Sequence, residues 1–299
     1  MFRHLLVPLD GSRLAETVLP AAAALAARMG ATLTLLHVVE AEAPRSVHGD
    51  RHLKDPAEAA AYLEELVAWL GERGVSATPR VEKGPGDVAA RIGHAGSSMG
   101  ADLIALCTHG GRGVRGLLFG RVAQQVLARG RIPVFLLPPS NLGREAEFAC
   151  RRMLVPLDGS TPSEGVLPAA AELARAFQAT LVLESVIPTL STIRGVRGAT
   201  ARLMPRMGAA VLDEEASDAA VYLGEIVARL DEAGIDVEAL VERGEPVKVL
   251  EDAAARHEAD LFAMATHGRA GVSAIWEGSI AARLLEKSGR PLLLVRITN

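Results

Sequence analysis

The sequence predicts an α/β protein of two tandem doubly wound domains, each a five-stranded, mainly parallel sheet with helices on both faces. Three observations carry that reading. The chain repeats itself: LVPLDGS occupies residues 6–12 and again 154–160, VLPAAA recurs at 18–23 and 166–171, and GADLIALCTHG (100–110) is answered by EADLFAMATHG (258–268). Repetition on this scale means one domain present twice. Within each copy, short aliphatic runs alternate with helix-length segments, as in βαβ units whose parallel sheet is covered on both faces. The composition supplies the cores, since 49% of the 299 residues are hydrophobic and 23% charged, with no mark of disorder.

The elements follow in order. An apolar strand at 5–9 leads into an alanine-rich helix at 17–29, and the β-branched and aliphatic run at 32–39 makes the second strand. A helix at 57–73, a short strand at 77–82, a helix at 87–98 and a strand at 103–108 come next. A glycine-rich loop, a helix at 121–129 and a strand at 133–137 close the copy. In the second copy Thr161-Pro162-Ser163-Glu164 reads as a cap, a proline at the first helical position and a carboxylate three residues after the cap. The proline pair and polar residues of Pro138-Pro139-Ser140-Asn141-Leu142-Gly143 mark a linker, giving domains at 1–140 and 151–299 joined by 141–150. The second copy carries an insertion between Ile187 and Asp213, expected as a loop.

Composition excludes several classes of function. A net charge of −4 gives no general attraction to nucleic acid or anionic lipid. The apolar stretch at 19–27 is far shorter than the roughly 20 residues a membrane span requires and contains Pro20. The opening residues reach Asp10 and Gly11 before a secretory apolar segment could form, and Cys107 and Cys150 are too few for a disulfide framework or a zinc site. The cytoplasm is the expected compartment.

In a doubly wound domain the ligand crevice lies beyond the carboxyl ends of the strands, where the strand order reverses. Pro8 to Ser12 and Pro156 to Ser160 fall at such ends, as do His37-Val38-Val39 and Ser185-Val186-Ile187. So do the loops THGGRGVRGLLFGR (108–121) and THGRAGVSAIWEGS (266–279). Glycine lets backbone approach a ligand closely, and the helix that follows offers unpaired N–H groups to an anion such as phosphate. The run Gly111-Arg112-Gly113-Val114-Arg115-Gly116 matches the dinucleotide fingerprint only by accident. It follows the fourth strand rather than the first, and the second copy does not keep it. No P-loop sequence occurs.

These motifs, in this order and twice over, resemble the universal stress protein family: LLVPLDGS, HVV after the second strand, GADLIALCTHG, and a glycine loop leading to a helix and a final strand. The resemblance implies a five-stranded α/β domain and, in one branch of the family, ATP binding through G-x2-G-x9-G-[S/T]. Gly110 and Gly120 keep that spacing, as do Gly268 and Gly278. The implied nucleotide-binding residues of the first copy are Pro8, Asp10, Val38, Leu106, Cys107, His109, Gly110, Gly120, Arg121 and Val122. Those of the second are Pro156, Asp158, Val186, Met264, Ala265, His267, Gly268, Gly278, Ser279 and Ile280. Asp10, Asp158, Val38 and Val186 would face the adenosine part. Each copy departs from the pattern: Cys107 and Ala265 stand at the first glycine, Arg121 replaces the phosphate-binding hydroxyl that Ser279 retains, and Glu277 would repel phosphate unless Mg2+ or an arginine intervenes. ATP, with Mg2+ as a companion ion, is the expected cofactor, better held by the second copy.

Blander readings stand beside these. The two aspartates could only fix a turn, His109 and His267 could be packing residues, and Cys107 reads as an inert core thiol. Arg194, Arg197, Arg202 and Arg206 lie in a stretch without acidic residues, which is a solvated loop or a lid over phosphate. Three functions compete: a nucleotide-binding regulatory protein with an unknown protein partner, a scaffold that has lost nucleotide binding, and a slow ATP hydrolase. No catalytic pair or metal cluster repeats. The final strands at 133–137 and 291–297 are apolar and come at sheet edges, so they are expected to be paired, giving an intramolecular pseudo-dimer with further homo-oligomerisation left open.

Overall fold

The computed structural model describes residues 2–40, 46–47, 49–84, 87–108, 121–139, 143–193, 203–267 and 280–297. The chain divides into two compact units. One takes in Met1–Ala149 with the C-terminal Pro291–Asn299, and the other Cys150–Thr266 with the helix at Ile280–Ser288.

In the first unit the strands are β1 (His4–Pro8), β2 (Thr32–Val39), a small hairpin β3 (Ser46–Val47) and β4 (Asp50–Arg51), β5 (Ala77–Lys83), β6 (Leu103–Cys107) and β7 (Val134–Leu137). The helices are α1 (Arg13–Glu16), α2 (Leu19–Met29), α3 (Pro56–Gly71), α4 (Val88–Met99) and α5 (Arg121–Arg129). The sheet runs β7-β6-β1-β2-β5, all parallel. Its central strands bury Leu5, Leu6, Val7, Leu35, Leu36, Ile104 and Ala105, the continuous apolar pattern of a sheet covered on both faces.

In the second unit β8 (Arg152–Pro156), β9 (Thr180–Ile187), β10 (Val237–Arg243) and β11 (Leu261–His267) are parallel in the order β10-β9-β8-β11. The helices are α6 (Thr161–Glu164), α7 (Leu167–Phe177), α8 (Pro205–Glu232), α9 (Pro246–Arg256) and α10 (Ile280–Ser288). The last strand, β12 (Leu292–Ile297), groups with the first unit and runs antiparallel to β7, with Leu292 opposite Leu136 and Leu294 opposite Val134. The apolar edge of β7 is thereby paired, and Arg296 fastens the strand by donating to the carbonyls of Ala128 and Gly130, each at 2.8 Å. No helix among the described residues is long and apolar enough to cross a membrane.

Three expectations are corrected. The helix read at 17–29 begins at Leu19, and a separate turn (α1, Arg13–Glu16) precedes it, the two divided at Thr17-Val18. The cap of its twin is Ser160, one residue before Thr161: Ser160 Oγ accepts from the Ser163 amide at 3.3 Å, as Ser12 Oγ does from Ala15 at 3.1 Å. The insertion expected as a loop becomes regular at Pro205, where α8 begins, and Leu212 packs with Ile187 and Ile193. Arg206 thus lies in a helix, whereas Arg194, Arg197 and Arg202 lie outside the described residues.

Candidate functional site

Both units share one strand order. In chain sequence the second and third strands lie to one side of the first, and the fourth lies to the other. The order therefore reverses between β1 and β6, and between β8 and β11, and those carboxyl ends are where a ligand crevice is expected in such a sheet.

In the second unit the chain leaves β8 at Pro156 and turns at Gly159, whose φ of +80° favours glycine. Asp158 Oδ1 holds the turn, accepting the Ser160 amide at 3.0 Å and its hydroxyl at 2.5 Å. Burial alone would raise the Asp158 pKa, but these bonds and one from Ser163 outweigh it and leave it below the usual aspartate value. The side chain is nevertheless exposed. Across the crevice Met264, Ala265 and Thr266, near the end of β11, are half-buried, as is Val186 near the end of β9. Ile280 opens α10 and is 37% exposed. His267 ends β11, and Gly268, Gly278 and Ser279 lie outside the described residues.

In the first unit Asp10 makes the same turn, accepting the Ser12 amide at 2.9 Å and hydroxyl at 2.6 Å. Its surroundings are tighter. Leu106, Cys107 and Val38 are buried, Pro8 is half-buried, and Cys107 Sγ lies 3.2 Å from Thr17 Oγ1. Burial pushes the Cys107 thiol up to about 11, far from a reactive thiolate. Val122 is half-buried in α5 beside Arg121, while His109, Gly110 and Gly120 lie outside the described residues.

Two features near the crevices escaped the sequence reading. The first is the pairing of His37, named above only within a strand-end segment, with His52. The His37 ring contacts two carbonyls, Leu9 through Nδ1 at 2.8 Å and Leu53 through Nε2 at 3.2 Å. His52 is 5% exposed, 3.7 Å from Glu40, and burial lowers its pKa. The second is Glu184, whose Cα partner in β8 is Pro156. It is fully buried, and neither carboxyl oxygen has a hydrogen-bond partner among the described residues. Burial, then the nearby Glu242, push its pKa up to about 8 against the pull of Arg256. A signal existed for both: aligned on LVPLDGS, Glu184 stands where the first copy has Leu36, and Ser185 where it has His37.

Known proteins of one family share this architecture. A family model described as "Universal stress protein family" matches residues 1–138 and 149–296. A universal stress protein of Methanocaldococcus jannaschii is 26% identical over 157 residues, covering 52% of this chain and 88% of that protein. The crystal structure of a universal stress protein from Archaeoglobus fulgidus superposes with a TM-score of 0.71 at 18% identity, covering 99% of this chain and 97% of that one. A structure titled as a putative universal stress protein from Pseudomonas aeruginosa gives 0.67 at 18% identity, covering 99% and 93%.

Proposed function

The chain belongs to the universal stress protein family, and from that premise we propose that it is a regulatory binding protein that takes up an adenine nucleotide, ATP, at the carboxyl ends of β8 and β11. The observation that carries this reading is the reversal of strand order in the second unit, the place where doubly wound sheets hold their ligands. It is flanked by exposed Asp158 on one side and half-buried Met264 and Ala265 on the other. A flat apolar ring suits the walls offered by Val186, Met264 and Ala265. Asp158 is a ready acceptor for a ribose hydroxyl or an exocyclic amine. Pro156 fixes the strand exit between them.

The phosphates would extend toward Gly268, Gly278 and Ser279, the residues of the family spacing, and toward the start of α10, which has no acidic residue in its first turn. Glu277 makes a divalent cation a useful companion there, since carboxylate and phosphate repel without one. The proposed domains remain 1–140 and 151–299, with 141–150 between them, in a cytoplasmic chain.

Mass analysis of small molecules released when the purified chain is denatured, followed by calorimetric titration with ATP and Mg2+, tests the reading. The expected result is one adenine nucleotide bound at sub-millimolar concentration. Absence of both released nucleotide and binding heat would leave an interaction scaffold instead.

A further inference from the structure

The connection after the second strand takes different courses in the two units. In the second it runs toward β10: the Thr192 hydroxyl donates to the Gly244 carbonyl at 3.3 Å, and Ile193 joins a cluster with Ile187, Leu212, Leu190 and Val241. Among the described residues nothing lies within 4 Å of where a Cβ on Gly159 would stand. In the first unit the connection turns back over the exit of β1. Leu53 Cδ1 and Cγ come within 2.8 and 2.9 Å of the place a Cβ on Gly11 would occupy, so its side chain rests on the Gly11 backbone. The Arg13 amide, next to that turn, donates to Asp50 Oδ2 at 3.0 Å. The His37 ring sits between the Leu9 and Leu53 carbonyls, 2.8 Å and 3.2 Å away, and donates to one or the other according to its tautomer. His52 is buried with no hydrogen bond to either ring nitrogen among the described residues, which shows how closely the segment is drawn in.

We infer that Asp50–Leu53 is a self-docked plug, with Leu53 and the Asp50 carboxylate filling the adenosine end of the first unit's crevice, so that the full chain binds one nucleotide rather than two. The inference rests on the proposed location of the nucleotide at the strand ends. Its physical basis is occupancy. A ligand reaching Asp10 and Val38 would have to displace Leu53 from Gly11 and break the Arg13–Asp50 bond, contacts without a counterpart among the described residues of the second unit. The positive φ of Gly11, +86°, keeps a β-carbon out of the contact and lets Leu53 sit directly on the backbone. Sequence accounts for the difference: Gly49-Asp50-Arg51-His52-Leu53 does not recur in the longer connection of the second copy, and His37 is replaced there by Ser185.

Equilibrium dialysis of the full chain with radiolabelled ATP and Mg2+ tests this when paired with amide exchange. The variants are Asp50→Ala/Leu53→Ala and the milder Leu53→Ala, which serves if the double variant does not fold. Expected are one nucleotide per chain in the parent and two in the variant. The Arg13 amide should exchange at least ten-fold faster in the nucleotide-free double variant, and residues 9–13 should be protected on nucleotide addition. Two nucleotides in the parent would overturn the plug. So would an unchanged number in a variant whose Gly11–Arg13 segment has been freed, or unchanged exchange at that segment. None in the parent and one in the variant would uphold the plug while overturning the proposed site in the second unit. None in either would overturn both.

Discussion

Glu184→Leu should stabilise the second unit, and by more at alkaline pH than at acidic pH. The carboxyl is fully buried in β9 between Pro156 and Leu240, and neither oxygen has a hydrogen-bond partner among the described residues. Burial is the largest cause of its rise to about 8, followed by Glu242; Arg256 opposes them but is itself engaged with Glu242. Because the folded pKa lies above the unfolded value of 4.5, the folded chain keeps a proton that the unfolded chain releases. Stability is therefore fully present below 4.5, declines as pH rises through the window up to about 8, and is constant beyond it.

At about 1.4 kcal/mol for each tenfold change in proton affinity, the ceiling on the loss is roughly 5 kcal/mol, and water penetration would reduce it to about 2–4 kcal/mol. Leucine removes this loss. It also removes the cost of burying an unpaired neutral acid, about 1–3 kcal/mol, which applies at every pH. The site accepts leucine sterically, since Leu36 fills the equivalent place in β2 with no exposure. Urea titrations of parent and variant at pH 5.5 and pH 8.5, followed by exchange of β9 and β10 amides, should show an advantage of about 1–2 kcal/mol at the lower pH that widens by about 2–3 kcal/mol at the higher. An equal advantage at both values would mean that the carboxylate is ionised throughout and stabilised by charge, contrary to this reasoning. Glu184→Gln should recover the pH-dependent part alone.

Three further outcomes are expected. Gly278→Val should abolish most nucleotide binding in equilibrium dialysis while Gly120→Val changes little; the reverse would invert the ranking of the two sites. The thiols of Cys107 and Cys150 are buried, and burial pushes them up to about 11 and about 12, so the native chain at pH 7.5 should leave a thiol-exchange reagent unreacted while the denatured chain consumes two equivalents; rapid native labelling would contradict this. Asp158→Ala should cost the second unit about 1 kcal/mol at neutral pH through loss of the Ser160 bonds. Because the folded Asp158 pKa lies below its usual value, that contribution is present above the unfolded value of 3.8 and fades as pH falls through the folded one, so thermal melts of parent and variant should converge in strong acid.

Much of the fold was legible because the parallel strands are apolar along their length and the repeat fixes their equivalences. LVPLDGS locates β1 and β8, and the acidic-aliphatic segments at 102–107 and 260–265 locate β6 and β11. The misreadings have two physical sources, short-range competition at element ends and tertiary packing. Ser160 outcompetes Thr161 for the cap because its hydroxyl is already oriented by Asp158. The insertion resolves into helix from Pro205 because Leu212, Ala216 and Ala219 can pack toward Ile187, a tertiary contact invisible in a stretch read for its arginines. The candidate site was legible as a set of strand ends, but its contrast between units was not. That contrast depends on which way one connection folds.

The two copies differ least where the sheet needs them alike and most in the connection after the second strand. Leu5, Leu6 and Val7 bury as fully as Met153, Leu154 and Val155, because both strands lie inside covered sheets that tolerate little change of volume. Beyond the strand ends that constraint lifts, and substitutions change function instead of folding. The His37 ring fills the space between the Leu9 and Leu53 carbonyls where Leu53 rests on Gly11, whereas Ser185 stands in its place in the second copy and the connection there packs toward β10. One residue upstream, Leu36 fills its site without cost, while Glu184 is buried with no hydrogen-bond partner among the described residues, beside the strand end assigned to the ligand. The copy with Leu36 in that strand is the one inferred to be plugged, and the copy carrying the buried acid is the one assigned to the ligand. A local expense of stability beside a proposed ligand site is the pattern expected where binding, rather than folding, has shaped the residue.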